Sequence, residues 1–544
     1  MFRTIAQKAN AILNHEFNNR EGQSGREHNT SRPRRTLEDH TPEEFARRYA
    51  GIENAEGCHS TRKLTFSRDT VFLFEKEPFP MRVILTLISF ITCALVLTMH
   101  GVAFGDAYRI PYQGTAAAAQ GEAFVAQADD ASALYYNPAG LVDVKGIQFY
   151  AGASLITGRT EFTSTTGTRA ESDLGGTVAY PPPSHFYLTW NLEETGIPVL
   201  DPLTLGIGVN SPFGLKIRWP NDGPFSTTVT EASLPLLDIK PTLAYRVNSY
   251  FSIGLGLDIY TFWDLIGEGH TEVKSNSPVI PGMPSTELNG TDTSVGFNAS
   301  VLITPWRYPN SPPKQNGKKE LGKPRLNLGV VFRSSADLDQ EGEFLVNGAK
   351  VADAKFTLPI PWVLSTGIAY WPVRDQEHEW KLEFDFEYID WSTFTNFDVS
   401  LSNGTVARSP RDWDDTYTFS VGSEFKWLDL TSLPNWEIAL RGGYQRSRAP
   451  NSARTFSPAI SDANWNILAT GLGLKCAKGG HFFGFIPCGY EGSYLPKAMV
   501  LDLGFSVALW EKRTINGNIL SPTHNGTYKT KDWYIGHISL GMVF

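Results

Sequence analysis

From about residue 147 to the end, the chain alternates apolar and polar positions with a period of two. Phe251, Ile253, Leu255, Leu257, Ile259, Thr261, Trp263 and Leu265 interleave with Ser252, Gly254, Gly256, Asp258, Tyr260, Phe262 and Asp264. Trp380, Leu382, Phe384, Phe386 and Tyr388 interleave with Lys381, Glu383, Asp385 and Glu387. In a strand, successive side chains point to opposite faces, so each run carries one greasy and one polar face. A soluble β-sandwich alternates too, but its strands are shorter, about five or six residues. These runs are about ten residues or more, the length a tilted strand needs to cross a bilayer. Aromatic residues gather near their ends, as girdles at the two interfaces require. The last run puts Tyr534, Ile538, Leu540, Met542 and Phe544 on one face and closes on an aromatic.

The runs lie near 147–160, 184–193, 203–210, 236–247, 251–272, 290–304, 324–346, 355–372, 380–398, 415–427, 435–446, 465–475, 497–515 and 530–544. The predicted fold is all-β: a transmembrane antiparallel β-barrel of about 14 strands, an even number as bacterial barrels have. With both ends periplasmic, 246–250 and 372–379 read as turns, and 161–183, 211–235 and 447–464 as outer loops. The stretches 305–323 and 476–496 are long for periplasmic turns.

Composition changes this picture little. Mean hydropathy is −0.22, as expected where no strand is a long apolar run. A net charge of −9 argues against a nucleic-acid partner. Of four cysteines, Cys58 and Cys93 fall in segments expected to be absent from the mature protein. Cys476 and Cys488 remain, as a disulfide or as two free thiols.

Residues 1–80 are polar and charged and read as a disordered or mis-annotated extension. Met81-Arg82, the apolar run Val83–Met99 and the small residues up to Gly105 read as a signal peptide over 81–105. A membrane anchor is the alternative for that run. Cleavage before Asp106 puts Ala103 and Gly105 at the −3 and −1 positions, and translation is expected to start at Met81. Residues 106–146 are rich in small residues, do not alternate and suit a plug inside the lumen; 147–544 form the barrel.

The stretch Ala131–Leu141, with Asn137-Pro138-Ala139, resembles the hatch motif of the FadL/TodX family of hydrophobic-compound transporters. Further resemblances follow in the family's order: Asn210–Lys216 with Pro212-Phe213-Gly214-Leu215, Gly329–Ser334, and Arg441–Tyr444 with Pro458–Asp462. Together they span 106–544. The resemblance implies a 14-stranded outer-membrane barrel that takes up hydrophobic small molecules, with long-chain fatty acids expected and aromatic hydrocarbons such as toluene the alternative. It implies an N-terminal hatch, here Asn137, Pro138 and Ala139, and a kinked third strand that opens a lateral gap beside Phe213, Gly214 and Leu215.

A fatty acid needs an apolar channel and a cation for its carboxylate. By alternation the inward cations are Lys240, Arg333, Lys381 and Arg441, with Arg333 favoured as anchor. Each has a plainer role, balancing the luminal acids Asp258, Asp264, Glu383, Asp385 and Glu387. No Gly-x-Ser-x-Gly elbow or zinc motif is present, which leaves a lipid-modifying enzyme as the rival class. A general porin and an adhesin are lesser rivals. No cofactor or metal is expected; the expected partners are a hydrophobic ligand and outer-membrane lipid, and the oligomeric state stays open, with a monomer favoured.

Overall fold

The computed structural model describes residues 106–277, 282–309, 322–477, 479–489 and 495–544, so the expected extension 1–80 and signal peptide 81–105 lie outside the described residues. Fourteen antiparallel strands form one closed barrel. They are β1 Ile147–Ser164, β2 Ser184–Asn191, β3 Leu203–Asn210, β4 Leu237–Arg246, β5 Phe251–Thr261, β6 Ser294–Arg307 and β7 Pro324–Arg333. The second half comprises β8 Val363–Arg374, β9 His378–Ile389, β10 Thr416–Trp427, β11 Trp436–Ser447, β12 Trp465–Cys476, β13 Ala498–Trp510 and β14 Gly526–Val543. Pairing of β14 with β1, from Gln148 opposite Val543 to Ser164 opposite Gly526, closes the ring. Closure leaves no open edge, which is what allows a sheet to exist in hydrocarbon.

The period-two reading holds along the barrel. Leu255, Leu257, Phe297, Phe384, Leu503, Phe505 and Ile538 are exposed on the outer face, while Asp258, Lys240, Lys381, Glu383, Asp385 and His537 are buried inside. No helix among the described residues is long and apolar enough to cross a membrane. The start of β1, the end of β14 and the short connections, 247–250 and 375–377 among them, lie at one rim, called here the turn end. The opposite rim is the loop end.

Several predicted runs prove to be two elements each. The run 251–272 leaves the barrel at Thr261 and resumes as Thr271–Asn276; 324–346 breaks after Arg333 and resumes as Ala336–Val346. The run 355–372 divides into Ala349–Ile360 and β8, 290–304 divides at Ser285–Gly290 and β6, and 380–398 ends as a strand at Ile389. The outer pieces pair with one another in a second, eight-stranded sheet built wholly from loop-end connections. Alternation persists across each break because the second sheet also has one packed and one wet face, so periodicity alone does not reveal the change of partner. Asp264, read as luminal, is for this reason exposed in a loop-end connection.

Residues 106–146 lie inside the barrel, with short helices Thr115–Ala118 and Ala133–Tyr136 and a 3-10 turn Pro138–Asp143. Nearly every side chain from Asp106 to Val144 is buried. Small residues suit this luminal segment because its backbone must approach the wall closely. A Cβ on Gly443 would stand 2.0 Å from the Gln120 carbonyl carbon, and one on Gly254 would stand 2.5 Å from the Ala139 nitrogen. Luminal carboxylates receive its backbone N–H groups: Asp385 takes Phe124 and Val125, and Glu383 takes Ala126 and Gln127. The buried plug backbone thus trades water for wall side chains, as burial demands.

Candidate functional site: an apolar cavity at the loop end

The site begins with two short strands. β2 and β3 have eight residues each, whereas β9 to β12 have twelve. Pro181, Pro182 and Pro183 precede β2, and proline has no N–H to give to a ladder. β1 therefore loses β2 as a partner after Ala153. On the other side, β3 ends at Asn210, and Ser211-Pro212 turns the chain away from β2. Instead it pairs with the start of the luminal segment: Ile110 donates to the Pro212 carbonyl at 2.8 Å and Gly214 to the Tyr108 carbonyl at 2.8 Å. Gly214 suits this crossing, since a Cβ there would meet Ile110 Cδ1 at 2.7 Å.

Where the wall is missing lies a cavity of about 450 Å³, within the roughly 300–1,000 Å³ range of small-ligand sites. Its lining is mostly apolar: Ile156, Leu174, the three prolines, Phe213, Leu236 and Ile266 are representative. Phe186, an outward-facing residue of β2, also borders it, so the cavity reaches the barrel's outer surface. Phe213, Gly214 and Leu215, the residues expected beside a lateral gap, all line it.

Its polar groups are few. Lys216 forms an ion pair with Glu231 at 2.6 Å. Arg109 is held by Asp106 and by Glu387, to whose Oε2 it donates at 2.8 Å. Burial pushes the Asp106 carboxyl up to about 8 against the pull of Arg109, and pushes Asp462 up to about 7. Tyr112 and three tryptophans of the barrel strands also line it: Trp465 of β12, Trp510 of β13 and Trp533 of β14. The rings pack as a row, with Trp465 and Trp510 centroids 4.8 Å apart and Trp510 and Trp533 5.2 Å apart. The Tyr112 hydroxyl and all three indole N–H groups are buried with no hydrogen-bond partner among the described residues. Four unused polar groups around one apolar space make an acceptor-rich ligand welcome there, since an unsatisfied buried group costs about 1–3 kcal/mol.

The four cations expected as anchors lie elsewhere in the lumen. Lys240 is paired with Asp238 and Asp258, Lys381 with Glu383, and Arg441 with Glu424 and Asp502. Each thus has an acidic partner, although Asp238, Glu424 and Asp502 are not among the five luminal acids expected to balance them. Arg333 differs: it donates to the Tyr135 carbonyl and lies 4.4 Å over the Tyr135 ring, and among the described residues no carboxylate is within 4.0 Å. It lines a small void beneath the cavity, together with Arg109 and Glu387. Asn137 ties the luminal segment to the wall, donating to the Val125 carbonyl at 2.8 Å and to the Val301 carbonyl of β6 at 3.3 Å and accepting from the Ala139 N–H, while Ala139 also meets Ser300 and Ser252. Pro138 starts the 3-10 turn beside Gly254. Cys476 and Cys488 form a disulfide remote from the cavity, at the turn end, with Cα atoms 6.0 Å apart. Sequence reasoning missed Arg109, Lys216, Tyr112 and the tryptophan row. Three of the tryptophans occupy inward positions of their strands, a signal available from parity, but their convergence depends on barrel closure.

Comparison with known proteins agrees with this geometry. Residues 108–479 match the family described as outer membrane protein transport protein (OMPP1/FadL/TodX). A long-chain fatty acid transport protein of Salmonella typhi is 23% identical over 366 residues, 62% of this chain and 77% of that protein. A crystal structure of a Pseudomonas aeruginosa FadL homologue superposes with a TM-score of 0.60 at 15% identity, covering 81% of this chain and 100% of that one. The Pseudomonas putida toluene transporter TodX superposes at 0.50 with 14% identity, covering 81% and 99%. With a closed fourteen-stranded barrel, a filled lumen and this match over most of its described length, the chain belongs to the OMPP1/FadL/TodX family of outer-membrane transport proteins.

Proposed function

We propose that the protein is a passive channel for hydrophobic small molecules, with long-chain fatty acids as its ligands, and that the cavity is where they are held on entry. The observation that carries this reading is the set of donors around an apolar space: Tyr112, Trp465, Trp510 and Trp533, without partners among the described residues, with Lys216 and Arg109, each already held by an acid, on the same lining. A carboxylate accepts hydrogen bonds and attracts cations; a hydrocarbon does neither. The size of the cavity suits a chain longer than one ring. The similar fatty acid transport protein of Salmonella typhi supports the same ligand class.

In this reading Asn137, Pro138 and Ala139 hold the luminal segment as a hatch, and the gap between β2 and β3 beside Phe213, Gly214 and Leu215 is the lateral route. A greasy molecule leaving through it never crosses a polar pore. Arg333, which has no carboxylate within 4.0 Å among the described residues, is the next anchor inward. The family's members are transport channels, which favours this over a lipid-modifying enzyme.

The second reading, uptake of aromatic hydrocarbons, is favoured by one observation: most luminal cations are already neutralised by the protein's own acids. Oleate and toluene uptake by cells carrying Tyr112→Phe with Trp465→Phe separates the two, since both changes remove a donor and keep a ring. A fatty-acid channel loses oleate uptake and keeps toluene uptake. Toluene uptake alone, already in the unaltered protein, would replace the first reading by the second.

A further inference from the structure

We propose that His270, Glu272 and Glu287 form a binding site for one divalent ion of the zinc class on the loop-end sheet. His270 closes the connection that follows β5, and Glu272 lies two residues on, in strand Thr271–Asn276. Glu287 belongs to strand Ser285–Gly290, which pairs with it antiparallel, Lys274 opposite Glu287 and Asn289 opposite Glu272. Alternation therefore puts 270, 272, 274 and 287 on one face. One ligand atom from each of the three residues lies within 4.8 Å of the other two, so a small contraction of the side chains surrounds one ion.

A second observation points to a ligand. Glu272 is only 3% exposed, and its Oε2 has no hydrogen-bond partner among the described residues. Its other oxygen meets the Lys274 ammonium at 2.5 Å, and that ammonium also stands 3.9 Å from Glu287. The two carboxylates thus already gather one cation, carried on a flexible stem that is 38% exposed and free to swing into solvent. An imidazole with two carboxylates suits zinc-like ions, which accept mixed nitrogen and oxygen ligands in fours; a water completes the set. Calcium and magnesium demand more oxygens than this site offers. The connection ending at His270 supplies Trp263, Leu265 and Ile266 to the cavity wall. An ion here would tie that wall to the sheet.

The test is calorimetric titration of Zn²⁺ into the full, untagged chain in detergent, with His270→Ala and Lys274→Ala beside it, and hydrogen exchange across 262–276. Zn²⁺ is expected to bind the unaltered protein, to slow exchange in that segment, and to bind more tightly to Lys274→Ala. His270→Ala loses both the site's heat and the protection. His270 is only partly buried, so the change spares the fold. Binding at Cys58 or His59 is common to all three proteins and subtracts. Equal Zn²⁺ binding by the unaltered protein and His270→Ala, or no protection of 262–276, would overturn the proposal, as would Ca²⁺ binding as tightly.

Discussion

The wall around β9–β13 and the wall around β2–β3 are made of the same material and do opposite things. β12 and β13 pair without a break from Trp465 opposite Trp510 to Cys476 opposite Met499. β2 and β3 pair only from Phe186 opposite Val209 to Asn191 opposite Thr204. The long ladder satisfies every strand N–H and C=O, which the hydrocarbon requires. The short one gives up its upper pairs, and prolines, the luminal segment and apolar side chains cover the loss. A barrel can be open sideways only where something other than the next strand takes care of the backbone. That is what Pro181–Pro183 and the Tyr108–Ile110 bridge to Pro212 and Gly214 accomplish.

The sharpest way to break the comparison is to disturb the tight wall. In Gly443→Val the added carbons would strike the Gln120 backbone, and neither ladder nor plug has slack. Overpacking of this kind costs about 1–3 kcal/mol, and here the upper end is expected. The luminal segment should detach while the barrel stays folded, seen as ion conductance in planar bilayers above that of the unaltered protein.

Next in size is the loss of anchors. Lys216→Ala should weaken oleate binding about tenfold, near the 1.4 kcal/mol that a partly exposed charged contact supplies, and leave toluene uptake unchanged. Arg333→Ala should slow oleate transport with less effect on its binding, because Arg333 lies beneath the cavity and not on its lining. Equal effects on binding would move the anchor inward.

Replacing Pro181, Pro182 and Pro183 by Ala restores three N–H donors beside β1. β2 should lengthen, and uptake of either ligand should fall a few-fold as the gap narrows. Unchanged uptake would mean that the prolines only shape the cavity.

A smaller effect concerns pH. Glu122, in the luminal segment, is pushed up to about 8 by burial, against its hydrogen bond from Tyr136. The folded state then holds a proton that the unfolded chain releases near pH 4, so stability falls as pH rises from about 4 to 8. Hydrogen-exchange protection of 115–136 should decline over that range, and Glu122→Gln should flatten the decline.

The smallest effect on transport is expected from cutting the Cys476–Cys488 bond. It closes a short hairpin at the turn end, remote from the cavity. Cys476→Ser with Cys488→Ser should loosen that hairpin, to the extent of roughly 3 kcal/mol on chain-entropy grounds, and leave oleate uptake as it was.

The amino-acid sequence by itself determined the barrel. Period-two alternation and strand length suffice, because hydrocarbon outside and polar groups inside sort side chains at every second residue. It also marked residues 106–146 as something other than strand, since small residues without alternation cannot build a membrane wall. What it left open is whatever depends on partners far along the chain. Whether 271–276 or 336–346 continues a barrel strand or joins another sheet is decided by pairing, and alternation is the same in both. Whether Lys240, Lys381 and Arg441 are free to meet a ligand depends on acids brought beside them by neighbouring strands. The row of Trp465, Trp510 and Trp533 exists only because β12, β13 and β14 lie side by side over Tyr112. Local periodicity specifies which way a side chain faces; only closure of the barrel brings those side chains together.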